Sequence, residues 1–217
     1  MKQIYEGVFA EGKNLFTINM IPGKKVYDEK LIRENNTELR SWDPERSKLA
    51  ASLLNGQKIM PIKKGSKVLY LGASTGTTPS HVSDIVGRTG IIYAVEFAER
   101  VFRNLMVLCE ARKNIAPIFA DARKTEDYDF IEQCDVVYVD IADPQETEIT
   151  IRNANVFLKE SGHVFIAVKS QSIDVTKQPQ QVYKEEADKL RKHGFEIMEI
   201  IDLEPHEEKH AMIMARK

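Results

Sequence analysis

Beyond residue 66 the chain alternates short, nearly unbroken apolar runs with longer stretches in which apolar and charged residues interleave. The runs predict strands over 67–71, 91–95, 116–120, 135–140, 163–169, 196–203 and 210–216, and the interleaved stretches predict helices near 78–87, 98–113, 147–159 and 179–193. Strands that are apolar along their whole length are buried on both faces, the environment of a parallel sheet covered by its own crossover helices. Only Glu204 to Lys209 separate the last two runs, too few residues for a crossover, so those strands must pair antiparallel. The expectation is an α/β domain with six parallel strands and one antiparallel strand at the edge.

The first 41 residues have another texture. Runs at Ile4–Phe9 and Leu15–Met20 are punctuated by Glu11-Gly12-Lys13-Asn14 and Pro22-Gly23-Lys24-Lys25, the pattern of hairpins. Asp43-Pro44 then opens a helix, with Asp43 as N-cap and Pro44 at the first position, running through Leu54 to a cap at Gly56. Two units follow: residues 1–55, an antiparallel β unit with a linking helix, and residues 56–217, the α/β domain.

Candidate chemistry gathers where the apolar runs end. After Leu69-Tyr70-Leu71 the chain passes through Gly72-Ala73-Ser74-Thr75-Gly76-Thr77-Thr78, a stretch lean enough for a nucleoside to approach the backbone. Glu96 ends the next run, 24 residues after Gly72, where a carboxylate can accept from both hydroxyls of a ribose. A turn followed by an unrelated surface carboxylate uses the same residues. The G-x-G-x-x-G spacing that seats a pyrophosphate is missing; three residues separate Gly72 from Gly76. That spacing suits S-adenosylmethionine, which has no phosphate and carries a positive sulfonium. Acidic strand ends at Asp121 and Asp140 suit the same charge, and the whole matches the arrangement of class I methyltransferases. In such sheets Gly72, Glu96, Asp121, Asp140 and Lys169 converge outside the carboxyl ends of the strands. Lys169 ends the apolar run Val164–Val168, and Asp140, on the neighbouring strand, is its natural partner, either as a structural ion pair or as part of a reaction site.

Composition narrows the field. Apolar residues make up 42% and charged residues 29%, as in soluble globular proteins, and 217 residues can bury a sizeable core. No apolar run approaches membrane-spanning length, and the start lacks a leader's apolar stretch. Cys109 and Cys134 form no C-x-x-C pair and read as core thiols of a reducing cytoplasm. Net charge is −2, yet residues 1–64 carry a surplus of four positive charges and residues 65–217 an excess of six negative ones. A chain that grips RNA unaided usually carries a strong basic surplus, so an RNA substrate here requires a local basic face or a partner.

Several segments together resemble fibrillarin: Ser41–Ala51, Val68–Thr78, Val82–Gly87, Tyr93–Phe97, Asp121-Ala122-Arg123, Pro144-Gln145, Asn153-Ala154 and Leu203–Glu207 followed by His210-Ala211. The resemblance spans essentially the whole chain, in the short form without a Gly/Arg-rich amino-terminal tail, and implies a cytoplasmic protein of an archaeal cell. It implies a 2′-O-methyltransferase of C/D box guide RNA–protein complexes, acting on rRNA and tRNA with a Nop-family scaffold and a kink-turn-binding protein related to ribosomal proteins. It implies S-adenosylmethionine across Gly72, Ala73, Thr77, Thr78, Glu96, Phe97, Asp121, Ala122, Asp140 and Gln145, with Glu96 on the ribose, Phe97 on the adenine face and Asp121 on its edge. Lys48, Asp140, Lys169 and His210 form the implied acceptor set, with no metal; taken alone, His210 is an ordinary strand-start residue. Asp143 departs from the family pattern, standing where an uncharged polar residue is expected. Lys169, beside Lys48 in that set, is a candidate acceptor of the hydroxyl proton. Three other readings are a small-molecule O-methyltransferase with a carboxylate-bound Mg²⁺, an autonomous RNA methyltransferase and a silent scaffold.

Overall fold

The computed structural model describes residues 1–217. Strands β1 (Lys2–Tyr5), β2 (Val8–Glu11), β3 (Asn14–Ile18), β4 (Leu31–Glu34) and β5 (Thr37–Trp42) form an antiparallel sheet in the order β1-β2-β3-β5-β4. The run expected at Ile4–Phe9 is two strands, because Glu6-Gly7 turns the chain between them. A third hairpin, β4-β5, escapes the apolar pattern. Its signal is Asn35-Asn36, both left-handed (φ 47° and 65°), the pair of positive φ values that a tight hairpin turn demands.

The linking helix comes in two pieces. Asp43 caps only a single 3₁₀ turn, Pro44–Arg46, accepting from the Glu45 amide at 3.0 Å. Ser47 then starts α1 (Lys48–Leu54), its Oγ accepting from the Ala50 amide at 3.4 Å, and α1 ends on Asn55 with Gly56 just beyond. A serine is as good a cap as an aspartate, and the restart puts Lys48 in the first turn of the new helix.

The large sheet contains β6 (Lys67–Leu71), β7 (Ile91–Glu96), β8 (Ile115–Phe119), β9 (Cys134–Val139), β10 (Leu158–Lys169), β11 (Glu196–Asp202) and β12 (His210–Arg216), in the order β11-β12-β10-β9-β6-β7-β8. β12 runs antiparallel to both neighbours, but it is not the edge strand expected from sequence. It lies between β10 and β11. β12 is buried from His210 to Ala215, whereas β11 carries Glu196, Glu199 and Asp202, so the apolar strand takes the inner place and the charged one the edge.

Helices α2 (Thr77–Val86), α3 (Glu99–Ala111), α4 (Glu146–Phe157), α5 (Ser170–Ile173) and α6 (Pro179–Lys192) complete the domain. Alternate residues along each strand feed different cores. Leu69, Val137, Ile166 and Ile213 pack with Val182 and Leu190 of α6, while Val68, Val136, Phe165 and Met212 share the opposite core with Leu49 and Ala50 of α1 and with Leu15 and Trp42 of the small sheet. The small sheet is also tied down by buried charge. Arg40 of β5 and Arg112 after α3 meet on Asp84 of α2 at 2.8 and 2.6 Å, and Arg40 binds Glu29 at 2.8 Å. No helix is long and apolar enough to cross a membrane.

Candidate active site

β6, β7 and β9 end side by side, and their ends form a cavity of about 170 Å³ lined by Gly72, Ser74, Glu96, Phe97, Ala120, Ala122, Asp140, Ile141 and Ala142, together with Val95. Gly72 is left-handed (φ 81°), and a Cβ there would lie 2.2 Å from the Asp140 carbonyl oxygen. The glycine is therefore required first by the neighbouring strand end and only indirectly by a ligand. Gly76 (φ 91°) is likewise pressed against Leu108 of α3.

The Glu96 carboxylate is buried and fixed. Oε2 accepts from the Ser74 amide at 2.9 Å and Oε1 from the Ala98 amide at 2.8 Å. Each oxygen keeps a second lone pair for a ligand hydroxyl. Beside it the Phe97 ring is 69% exposed, an apolar face standing in solvent at the cavity lip. Ser74, Ala120, Ile141 and Ala142 also line the cavity; their small or backbone-flanking character gave no separate signal in sequence.

Five of the residues assigned to the cofactor by resemblance do not line this cavity. Ala73 is packed into the core. Thr78 is buried with its hydroxyl on Ser47 Oγ at 3.0 Å, and Thr77 faces a different cavity on the far side of the same loop. Asp121 turns to its own loop, accepting from the Arg123 amide at 2.9 Å. Gln145 serves as the residue before α4, its amide donating to Asp143 at 2.8 Å. Asp143 also binds Arg123 at 2.8 Å, so the one departure from the family pattern ties together the two loops flanking the cavity.

Asp140 is the hinge between this cavity and a cationic cluster. Its Oδ1 is 2.9 Å from Lys48 Nζ, both side chains about one-fifth exposed. Asp140 thus pairs with Lys48, and the expected ion pair with Lys169 does not form. The reason is the restarted α1, which carries Lys48 to the end of β9 before β10 delivers Lys169. Burial alone would lower the Lys48 pKa, but Asp140, with Glu207 and Glu146 farther off, raises it above the ordinary lysine value. Lys48 therefore stays charged.

Lys169 and His210 face each other as cross-strand partners of β10 and β12. His210 Nδ1 lies 2.7 Å from the Glu208 carbonyl, a contact that only a protonated nitrogen can make, which leaves Nε2 unprotonated. Burial pushes the His210 pKa below the usual imidazole value, against the Glu208 carbonyl and Glu207, with Lys48 and Lys169 adding to the downward push. The segment before His210 is held over α1 by Asn55, which donates to the Asp202 and Glu204 carbonyls at 2.7 and 2.8 Å, and by His206 on Glu45 at 2.8 Å. Glu146, the first residue of α4, is fully buried with neither carboxyl oxygen bonded, and burial holds it well above the usual carboxylate range. Sequence reasoning passed over it because a glutamate in a first helical turn is ordinary. No group of three or more His, Cys, Asp or Glu side chains is arranged to hold a metal ion.

A mostly parallel seven-stranded sheet with an inserted antiparallel strand, and a cavity at its strand ends with a fixed acidic residue after the second strand, define the class I S-adenosylmethionine-dependent methyltransferase fold. Within that class the sequence is specific. The family model described as Fibrillarin matches residues 1–217, and the chain belongs to the fibrillarin family. It is 49% identical over 214 residues to the fibrillarin-like rRNA/tRNA 2′-O-methyltransferase of Methanopyrus kandleri, covering 98% of this chain and 92% of that one. Among solved structures it resembles Aeropyrum pernix fibrillarin in complex with natively bound S-adenosyl-L-methionine (TM-score 0.87, 46% identity, 93% and 88% of the two chains). It also resembles a chain of a fibrillarin/Nop5p complex (TM-score 0.89, 39% identity, 99% of each chain).

Proposed function

We propose that the chain transfers the methyl group of S-adenosylmethionine to ribose 2′-hydroxyls of rRNA and tRNA nucleotides, as the catalytic subunit of a C/D box guide complex with a Nop-family scaffold and a kink-turn-binding protein. The observation that carries this reading is the Lys48–Asp140 pair at 2.9 Å on the lip of the strand-end cavity, with Lys169 and His210 beside it. The names of the M. kandleri and A. pernix relatives support the activity and the cofactor, and the Nop5p complex supports the scaffold.

The residues present fit the cofactor. Glu96 retains acceptor lone pairs, Phe97 offers a ring face, and Asp140 brings negative charge where a sulfonium would lie. Bound there, the sulfonium supplies a methyl group already activated for transfer. The protein's part is then mainly to hold the ribose oxygen in line with the methyl carbon, at roughly 3–3.5 Å. Lys48, kept charged by Asp140, donates to that oxygen and cannot take its proton. Lys169, which has no carboxylate partner, takes the hydroxyl proton in its neutral amine form, becoming the ammonium as the methyl group transfers.

The test is reconstitution with tritiated methyl donor and a defined RNA, in the presence and absence of EDTA. Methylation confined to the full assembly with guide RNA, and indifferent to EDTA, is the expected result. Equal methylation by the chain alone would replace the guided reading with an autonomous one.

A further inference from the structure

The loop Ser74–Thr77 separates two cavities. Ser74 faces the strand-end cavity, while Thr75 and Thr77 face a groove of about 580 Å³ between α3 and the small sheet. The groove is lined by Lys24, Lys25 and Arg46, with Tyr27 and Val107 among its other walls, and its lining includes no carboxylate. Three of the cations that give residues 1–64 their positive surplus gather here.

The cations stand on a fixed frame. The Pro22–Lys25 turn is held by Glu38, which accepts from the Gly23 amide at 2.7 Å, and by Asn19, which donates to the Lys24 carbonyl at 3.0 Å. Arg46 lies over the Tyr27 ring at 5.5 Å. Its pairing with Asp28 at 3.2 Å joins two exposed side chains, worth little and readily exchanged for a phosphate. Neither Lys24 nor Lys25 is in an ion pair. Arg46 is separated by Ser47 alone from Lys48, and the Ser74–Thr77 loop walls both the groove and the strand-end cavity.

We propose that this groove binds the phosphodiester backbone of the RNA strand on one flank of the acceptor nucleotide, with Lys24, Lys25 and Arg46 as phosphate contacts. The proposal rests on the RNA methyltransferase reading above. Lys24 and Lys25, free of ion pairs, and Arg46, held only by exposed carboxylates, match a polyanion, and the Ser74–Thr77 loop shared with the strand-end cavity places the groove beside the acceptor site.

The experiment uses K24E/K25E in the reconstituted guide complex, measuring RNA affinity by fluorescence anisotropy, RNA KM, cofactor affinity and co-purification of the scaffold, each between 50 and 200 mM salt. Losing two phosphate contacts lowers the salt slope by about 1.4–1.8. The expected result is weaker RNA binding at 50 mM salt with cofactor affinity unmoved, the gap to wild type closing about tenfold by 200 mM. Unchanged RNA affinity and slope would overturn the proposal. So would loss of scaffold co-purification with RNA affinity intact, which would make the groove a protein-docking face. If the wild-type assembly binds RNA without methylating it, the activity reading fails while the binding arms still judge the groove.

Discussion

Arg40→Met should unfold the protein early. Arg40 is fully buried and holds Glu29 at 2.8 Å, Asp84 at 2.8 Å and Ser80 Oγ at 3.0 Å, joining the small sheet to α2. Methionine restores most of the volume but leaves the buried network one positive charge short. Severing a buried ion pair from one side costs about 3–5 kcal/mol. The lower end applies, because Asp84 keeps Arg112 at 2.6 Å and Thr17 at 2.9 Å, and Glu29 keeps the Val26 and Tyr27 amides, both at 2.8 Å. A loss of about 3 kcal/mol lowers Tm by about 6–12 °C in a chain of this size. Burial would raise the Glu29 pKa, but the Val26 and Tyr27 amides, and then Arg40, hold it below the ordinary carboxylate value. A depressed carboxylate contributes stability above its unfolded pKa and loses it as pH falls, so the variant's deficit should shrink below about pH 4.5. Urea and thermal unfolding across pH give both numbers. A deficit under 1 kcal/mol at pH 7, or one independent of pH, would refute the account of the network as a charge-balanced weld.

Glu96→Ala removes the acceptor fixed by Ser74 and Ala98 and should weaken S-adenosylmethionine by about 1.5–3 kcal/mol; calorimetry giving wild-type affinity would remove Glu96 from the site. Lys169→Ala should keep cofactor affinity and slow methylation by about 10²–10⁴, and wild-type turnover in that variant would reduce the lysine to a structural role. Burial, with Arg40 and Arg112 close by, holds His81 well below the usual imidazole value, so the folded chain refuses a proton that the unfolded chain accepts. Its contribution is therefore full above about pH 6.5 and lost as pH falls, by up to about 1.4 kcal/mol per pH unit; His81→Gln should flatten the Tm profile between pH 7 and 5, and an unaltered slope would count against it.

The apolar runs alone determined the seven strands of the large sheet to within a residue or two at most ends, the four main helices and the antiparallel pairing of the last two strands, because burial on both faces leaves a continuous signature and six linking residues cannot cross a sheet. They also marked Gly72, Glu96, Asp140 and Lys169, since strand ends in such sheets share one side. Tertiary structure decided what each residue does there. Gly72 is required by the Asp140 carbonyl, a neighbour 68 positions away. Asp140 goes to Lys48 because Ser47 restarts a helix, and Lys169 is left to face His210 because β12 inserts beside β10 instead of taking the edge. Thr77 and Thr78, adjacent in sequence, part into a basic groove and a buried bond to Ser47. Local pattern fixes which backbone positions are buried, because that depends on each residue's own solvation; partner choice depends on which elements arrive at the same place, and that is set only when both cores have packed.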